Sequence, residues 1–349
     1  MQRAIDLAWR GWGRVAPNPL VGAVVLRDGQ VVGEGYHAEF GDRHAEAVAL
    51  EAAGDGARGA TLVVTLEPCA HQGKQPPCTD LVRRAGIRRV VAAVADPNTE
   101  AAGGAAYLRQ HGIEVELGLM QREAAAQNAT FLHAHGARRR PYVALKLATS
   151  LDARIADREG RSRWISGPEA RAWVQWLRAG FDALAVGSHT VRVDDPSLTV
   201  RGTVVPRRTP RRGGFRRSSQ LSTEAALART ARETPTTVFV APGTGAAQGA
   251  LTTAGVDVRE TKSLAAALAA LREEDVESVL VEGGGQLAGA LLAEDLVDRL
   301  YWVQSPLWLG DGVPAVTGLP GTSLELAPRW RVVERRALGE DTLLVVDRR

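Results

Sequence analysis

A chain of 349 residues, 45% hydrophobic and 24% charged, has the balance of a globular protein that buries a core, and its length suits two domains. The formal charge of +3 is carried almost wholly by arginine, since Lys74, Lys146 and Lys262 are the only lysines; this suits anionic small molecules and does not argue for nucleic acid. No run of about 18 apolar residues exists and Met1 to Asp6 has no apolar leader core, so a soluble cytoplasmic enzyme is expected.

Along the first part, helix and strand patterns alternate. Ala4 to Gly13 reads as a helix. Leu20 to Leu26 and Val31 to Tyr36 read as strands joined by a turn at Arg27–Gln30. A helix over His44 to Ala53 is ended by Gly54, a strand covers Ala60 to Leu66, and a helix over Thr79 to Ala85 stops at Gly86. Strands follow at Arg89 to Ala95 and Val115 to Leu117. Buried strands alternating with helices imply a sheet covered on both faces. The chain divides at Gly136–Pro141, giving domains 1–140 and 141–349. The second starts with a strand at Tyr142 to Ala148 and a helix at Pro168 to Ala179. Further strands are expected at Ala183 to Val186, Thr237 to Val240, Ser278 to Val281, Arg299 to Val303 and Leu343 to Val346, which makes a second α/β domain.

Both cysteines, Cys69 and Cys78, fall in one segment, downstream of His44-Ala45-Glu46. Two cysteines make no disulfide framework, and a reducing compartment keeps them as thiolates. One imidazole and two thiolates suit Zn²⁺ and leave its fourth tetrahedral position open for water, the mark of a catalytic site. His-x-Glu followed by Pro-Cys…Cys is the pattern of zinc nucleobase deaminases. In a helix beginning at His44, the side chain of Glu46 points away from the imidazole. It is therefore read as the proton shuttle over the open position rather than as a ligand. A structural zinc staple would need a fourth ligand, with His71 the nearby candidate.

Eight residues separate the cysteines, more than in most base deaminases, and here the sequence resembles the bacterial bifunctional riboflavin-biosynthesis deaminase/reductases. The likeness is carried by Ala16-Pro17-Asn18-Pro19-Leu20-Val21-Gly22, the long Cys69–Cys78 loop, Asp96-Pro97-Asn98, Lys146-Leu147-Ala148-Thr149-Ser150-Leu151-Asp152, Arg163-Trp164-Ile165-Ser166, Val193 to Arg201 and Val281-Glu282-Gly283-Gly284-Gly285. It implies an N-terminal cytidine-deaminase-like α/β/α domain and a C-terminal dihydrofolate-reductase-like α/β domain. The first would deaminate 2,5-diamino-6-ribosylamino-4(3H)-pyrimidinone 5′-phosphate, and the second would use NADPH to reduce the ribosyl group to ribityl. The resemblance implies that His44, Cys69 and Cys78 hold zinc, that Glu46 is catalytic, and that Asn18, His37, His71, Lys74, Asp96 and Asn98 bind substrate. In the second domain it places Thr149, Trp164, Thr190, Asp194 and Gly284 on NADPH, and Ser162, Arg178, Leu198, Arg201 and Glu282 on substrate. Arg178 and Arg201 would clamp the phosphate. Asp194 and Asp195 are candidate proton donors, though Asp195 before Pro196 also suits a cap. A homodimer through the second domain is the implied assembly.

The chain departs from the family pattern in two informative places. Ala153 stands where the family usually has glycine, at a cost of about 1 kcal/mol if that position needs positive φ. The stretch Arg207 to Ser219, where the family has an apolar strand, holds two glycines, a proline and six arginines. It reads as a solvated loop that cannot make a buried strand. Losing that strand would favour a deaminase with a degenerate reductase domain. A deaminase that grips nucleic acid through the arginines would be salt-sensitive. A non-catalytic zinc module is the third alternative.

Overall fold

A computed structural model describes residues 1–71, 76–215, 221–244 and 248–349. The chain forms two compact units, Met1–Ala137 and Arg138–Arg349. In the first, β1 (Gly22–Arg27), β2 (Gln30–Tyr36), β3 (Thr61–Leu66), β4 (Arg89–Val94) and β5 (Glu114–Leu117) form one sheet in the order β2-β1-β3-β4-β5. The β1–β2 hairpin turns at Asp28 and Gly29, whose φ of 51° and 76° match the twist of a tight hairpin. β1 runs antiparallel to β2 and β3, whereas β3, β4 and β5 are parallel. After their first residues, β3 and β4 are buried throughout, as parallel strands covered on both faces must be.

The helix Ala45–Ala53 lies directly on β2. A Cβ on Gly35 would come within 2.4 Å of Ala45 O, and one on Gly33 within 2.3 Å of Ala49 O. These glycines let the backbones touch, which fixes where this helix begins and so where His44 stands. The expected first helix is shorter, Gln2–Ala8 followed by a 3₁₀ turn at Trp9–Gly11.

In the second unit, nine strands form one sheet among the described residues, in the order β11-β10-β9-β8-β12-β6-β13-β16-β15. These are β6 (Tyr142–Thr149), β8 (Ala183–Gly187), β9 (Arg211–Phe215), β10 (Thr236–Val240), β11 (Asp257–Glu260), β12 (Ser278–Glu282), β13 (Arg299–Gln304), β15 (Trp330–Leu338) and β16 (Asp341–Arg348). Strands β11 to β13 in that order are parallel, and β16 and β15 close the far edge antiparallel. β7 (Arg154–Ala156) and β14 (Val313–Pro314) pair separately. Each strand expected in this half is present. β15, whose burial alternates poorly along its length, gave no periodic signal.

One expectation is overturned. Residues Arg211–Phe215 are not a solvated loop but β9, an interior strand between β8 and β10 with four of its five residues buried. Phe215 stacks on Phe239 with ring centroids 5.8 Å apart. Gly213 and Gly214 face side chains close enough that an added Cβ would lie 3.2 Å from Ala185 Cβ and 3.4 Å from Val238 Cγ2. Arg212 is 1% exposed. Its guanidinium donates to Thr236 Oγ1, Thr230 Oγ1 and the carbonyls of Ser197, Leu227, Thr230 and Thr234. A buried guanidinium is tolerated when its donors are filled, and composition alone does not reveal that. Arg216, Arg217, Ser218 and Ser219 of the same run lie outside the described residues.

Ala153 adopts φ 58°, in a turn where its amide donates to Ser150 O at 3.1 Å and its carbonyl receives the Ala315 amide at 3.0 Å. The left-handed conformation is thus required, and alanine bears the strain. Ala153→Gly is expected to stabilise the second unit by about 0.5–1 kcal/mol, measured as an upward shift in its denaturant midpoint at unchanged slope.

Candidate metal centre and active sites

β3 ends at Leu66, and Pro68 breaks its continuation. The turn that follows carries Cys69. Cys78 is the first residue of the helix Cys78–Arg84 rather than a loop residue before it. His44 is the extended N-cap of the helix Ala45–Ala53, with φ −68° and ψ 156°. Two helix starts and one strand end therefore converge. His44 Nδ1 lies 3.2 Å from Cys78 Sγ and 3.6 Å from Cys69 Sγ. The Cys78 amide donates to Cys69 Sγ at 3.4 Å. The three donor atoms lie within 4.8 Å of one another. Tetrahedral zinc, with bonds of about 2.1 Å to nitrogen and 2.3 Å to sulfur, holds such atoms about 3.6 Å apart, so donor type and spacing both fit.

Electrostatics agree with a cation-binding cradle. A hydrogen bond from the Cys78 thiol, assisted by His44, pulls Cys69 down to about 4. The same bond, together with burial, pushes Cys78 up. The bond to Cys69 raises His44. Glu46 is pushed up to about 7, chiefly by burial. His44 caps the helix in extended conformation, and His44 and Glu46 both line one cavity of about 300 Å³. Glu46 stands outside the three clustered donors, as expected of a residue that is not a ligand.

Asn18, His37, His71, Asp96 and Asn98 line the same cavity. His37 Nδ1 lies 3.1 Å from Arg43 O, which can only accept, so this nitrogen carries the proton. His37 Nε2 is then the acceptor for the Asn18 amide at 3.1 Å, which leaves the Asn18 carbonyl oxygen available to the cavity. Burial pushes His37 below its ordinary value. His71 Nδ1 is buried with no partner among the described residues. Asp96 accepts the Asn98 amide at 2.9 Å, and burial raises its carboxyl. Lys74 lies outside the described residues.

Two positioning residues were missed in the sequence. Glu67 accepts the Asp96 amide at 3.1 Å and the Ala105 amide at 2.7 Å, which fixes the end of β4 beside the end of β3. Its place immediately before Pro68-Cys69 was the available signal. Asn128 pairs with both backbone groups of Leu20, at 2.8 and 2.9 Å, and so anchors the Asn18 turn from the junction of the helices Gln121–Gln127 and Ala129–Ala134. No local pattern could have revealed it.

In the second unit, Arg178 donates from Nε and Nη2 to the two oxygens of Glu282, at 2.5 and 2.9 Å, and from Nη1 to Thr199 O at 3.0 Å. Its fork is thus engaged with Glu282 and Thr199, which ties the two expected substrate residues Arg178 and Glu282 to each other. Arg201 is exposed, and its amide donates to Gln175 Oε1. Ser162 Oγ donates to Asp194 Oδ1 at 3.1 Å. Asp195 accepts the Ala226 amide at 2.7 Å, a contact 31 residues along the chain rather than a local cap before Pro196. Gly283 and Gly284 have φ of 72° and 81°, and a Cβ on Gly284 would sit 3.1 Å from Thr190 Oγ1. Thr149 Oγ1 is buried without a partner among the described residues. A glycine cradle beside an orphaned hydroxyl at the carboxyl ends of parallel strands fits a nucleotide. Trp164 is 68% exposed, with the Arg171 guanidinium 4.7 Å above its ring. Leu198 is 2% exposed at φ 47°.

A His/Cys/Cys cradle beside a buried carboxylate, and a separate nine-stranded unit with a glycine cradle, are the arrangement of a zinc-dependent deaminase joined to a reductase, the class that the family matches give this chain. Residues 1–94 match the cytidine and deoxycytidylate deaminase zinc-binding region, and residues 141–344 match the RibD C-terminal domain. The chain is 40% identical over 360 aligned residues to riboflavin biosynthesis protein RibD of Escherichia coli (strain K12), covering 99% of this chain and 97% of that one. It is 39% identical to RibD of Aquifex aeolicus (strain VF5), covering 100% and 97%. The solved structure of a diaminohydroxyphosphoribosylaminopyrimidine deaminase/5-amino-6-(5-phosphoribosylamino)uracil reductase from Thermotoga maritima is similar with TM-score 0.83 and 36% identity, covering 100% of this chain and 97% of that one. The chain belongs to the RibD family of bifunctional deaminase/reductases in riboflavin biosynthesis, with zinc and NADPH as cofactors. No helix among the described residues is long and apolar enough to cross a membrane.

Cys78→Ser is expected to lower zinc content from about one per chain to below a tenth, read by metal analysis after dialysis, because one of three protein ligands is lost. Burial of Glu46 gives a pH signature. Its folded value of about 7 lies above the ordinary 4.5, so its stabilising contribution is complete below 4.5 and lost as pH rises towards 7. In chelator-treated protein, the stability of Glu46→Gln relative to the parent should therefore increase across that window. Parallel stability curves for the two would contradict it.

Proposed function

We propose that the unit Met1–Ala137 is the zinc-dependent pyrimidine deaminase and the unit Arg138–Arg349 the NADPH-dependent reductase. The substrate of the first is 2,5-diamino-6-ribosylamino-4(3H)-pyrimidinone 5′-phosphate. The observation that carries this reading is a cavity lined by His44, Cys69 and Glu46 together with Asn18, His37, His71, Asp96 and Asn98, with Cys78 clustered behind His44 and Cys69. A pyrimidine with several exocyclic groups needs such a wall of amides, imidazoles and carboxyls.

His44, Cys69 and Cys78 hold the zinc. Zinc, when bound, supplies Lewis acidity at the position that three protein ligands leave open. Glu46 takes a proton from the attacking water and returns it to the departing amine, so that ammonia leaves and the 2-amino carbon gains oxygen. A carboxyl whose value is drawn towards neutrality by burial suits both directions of that transfer. Asn18, oriented by His37, and Asp96, braced by Glu67, orient the ring, and Lys74 is assigned the phosphate as a point charge.

In the second unit, bound NADPH would be the hydride source for reduction of the ribosyl group to ribityl. Thr149, Thr190, Gly284, Asp194 and Trp164 bind the nucleotide. Glu282, held by Arg178, binds ribose hydroxyls together with Ser162, and Arg201 takes the phosphate from its exposed position. Leu198 shapes the loop between them. The presence of β9 removes the main argument for a degenerate reductase. We take the working form to be a cytoplasmic homodimer joined through the second unit, a setting that keeps both cysteines reduced for the metal.

Mass spectrometry of products after incubation with the diaminopyrimidinone substrate tests the whole scheme. Exchange of amino for oxo without NADPH, then gain of two hydrogens with it, is the expected result. Glu46→Gln should lower the first step by a factor of about 10²–10⁴ and leave the second intact when pre-deaminated substrate is given. Loss of both steps in that variant would reject the division of labour.

A further inference from the structure

The segment Asp194–Arg201 supplies several residues of the proposed reductase site, and its backbone is strained. Asp195 and Leu198, neither of them glycine, have φ of 40° and 47°. Such residues persist only where their surroundings fix them. Two ties do so. The Asp195 carboxylate accepts the Ala226 amide at 2.7 Å. The Ser197 carbonyl accepts from Arg212 Nη1 at 3.2 Å.

Arg212 is an expensive way to fill an interior strand position. Among the described residues its hydrogen-bond partners are hydroxyls and carbonyls, not a carboxylate, and burial opposes its charge. A branched apolar side chain would occupy the site at lower cost, but it could not reach Ser197. The guanidinium joins the start of β10 through Thr236 Oγ1 at 3.0 Å, the 227–234 segment through Leu227 O, Thr230 O and Thr234 O, and the active loop through Ser197 O. From Ser197 the polar path continues. Ser197 Oγ lies 3.1 Å from Thr199 Oγ1, and Thr199 O accepts from Arg178, which holds Glu282.

We propose that Arg212 is a positioning residue for the reductase, holding the 194–201 loop and, through Thr199 and Arg178, the carboxylate of Glu282. The proposal rests on the reading that this loop and Glu282 contact nucleotide and substrate. It explains why an arginine occupies an interior strand: the side chain provides loop geometry that an apolar strand would have to obtain from other contacts.

The test uses the full-length, zinc-loaded chain carrying Arg212→Lys, with Thr230→Val as a milder variant that removes one acceptor and keeps the arginine. A lysine retains the charge but cannot span several carbonyls with a planar fork. Expected for Arg212→Lys is a rise of about tenfold in the reductase KM for deaminated substrate, with kcat changed less than about threefold. NADPH affinity by fluorescence titration should fall in step, and the amides of 194–201 should exchange at least about tenfold faster. Thr230→Val should shift the same quantities in the same direction by a smaller factor. Deamination should stay within about twofold of the parent in both. If either variant folds, loses thermal stability and yet keeps the parent KM, NADPH affinity and loop exchange, Arg212 is only a stabilising residue and the proposal fails. If the parent itself neither binds NADPH nor reduces substrate, the reading of the second unit fails and the role of Arg212 falls with it. These two failures are told apart by the parent's own titration.

Discussion

The buried carboxylate of Glu67 is the point on which the first unit's chemistry depends. It sits where β3 ends, accepts the amide of Asp96 at the end of β4 and the amide of Ala105 near the start of the next helix. A carboxylate that receives two backbone donors in a buried place is hard to displace, because each unmatched group would cost about 1–3 kcal/mol. Two residues further on, Cys69 inherits that fixed position. Cys78 and His44 reach it from the first turn of one helix and the N-cap of another. A metal cradle is only as well defined as the backbone behind its ligands. Here that backbone is held by a carboxylate, by glycines that press a helix against β2, and by Asn128 gripping Leu20.

The second unit solves the same problem with guanidinium groups. Arg178 fixes Glu282 and Arg212 fixes the loop that Arg178 also touches, through Thr199. Arginine suits this use because its planar fork carries five donors in fixed directions and keeps its charge when buried. The near absence of lysine from this chain is consistent with a design in which cations serve as internal struts as well as surface charge.

Much of the site was legible in the sequence because its chemistry is local in type. His44, Glu46, Cys69 and Cys78 could be grouped from residue identity, since few other functions need one imidazole and two thiolates beside a carboxylate. The parallel strands were legible because burial on both faces leaves continuous apolar runs such as Leu62 to Leu66. How Glu46 stands to His44 depends on where the helix begins, since a one-residue change turns His44 from a helical residue into an extended cap. Boundaries of that kind are set by packing, here by Gly33 and Gly35 against the helix backbone.

Sequence by itself determined the candidate grouping of His44, Cys69 and Cys78, the two α/β halves and the positions of most strands, while the positive φ that strains Ala153 came from the structure. Tertiary structure alone decided that Arg211–Phe215 is an interior strand, that Arg178 belongs to Glu282, and that Asn128 and Glu67 brace the first cavity. The physical reason is common to all four. The free energy of burying a polar group is set by partners that lie far off in the chain, 15 to 24 residues away for Arg212 and 108 for Asn128. Composition counts the charges in a segment, and only the fold brings the acceptors that let them be buried.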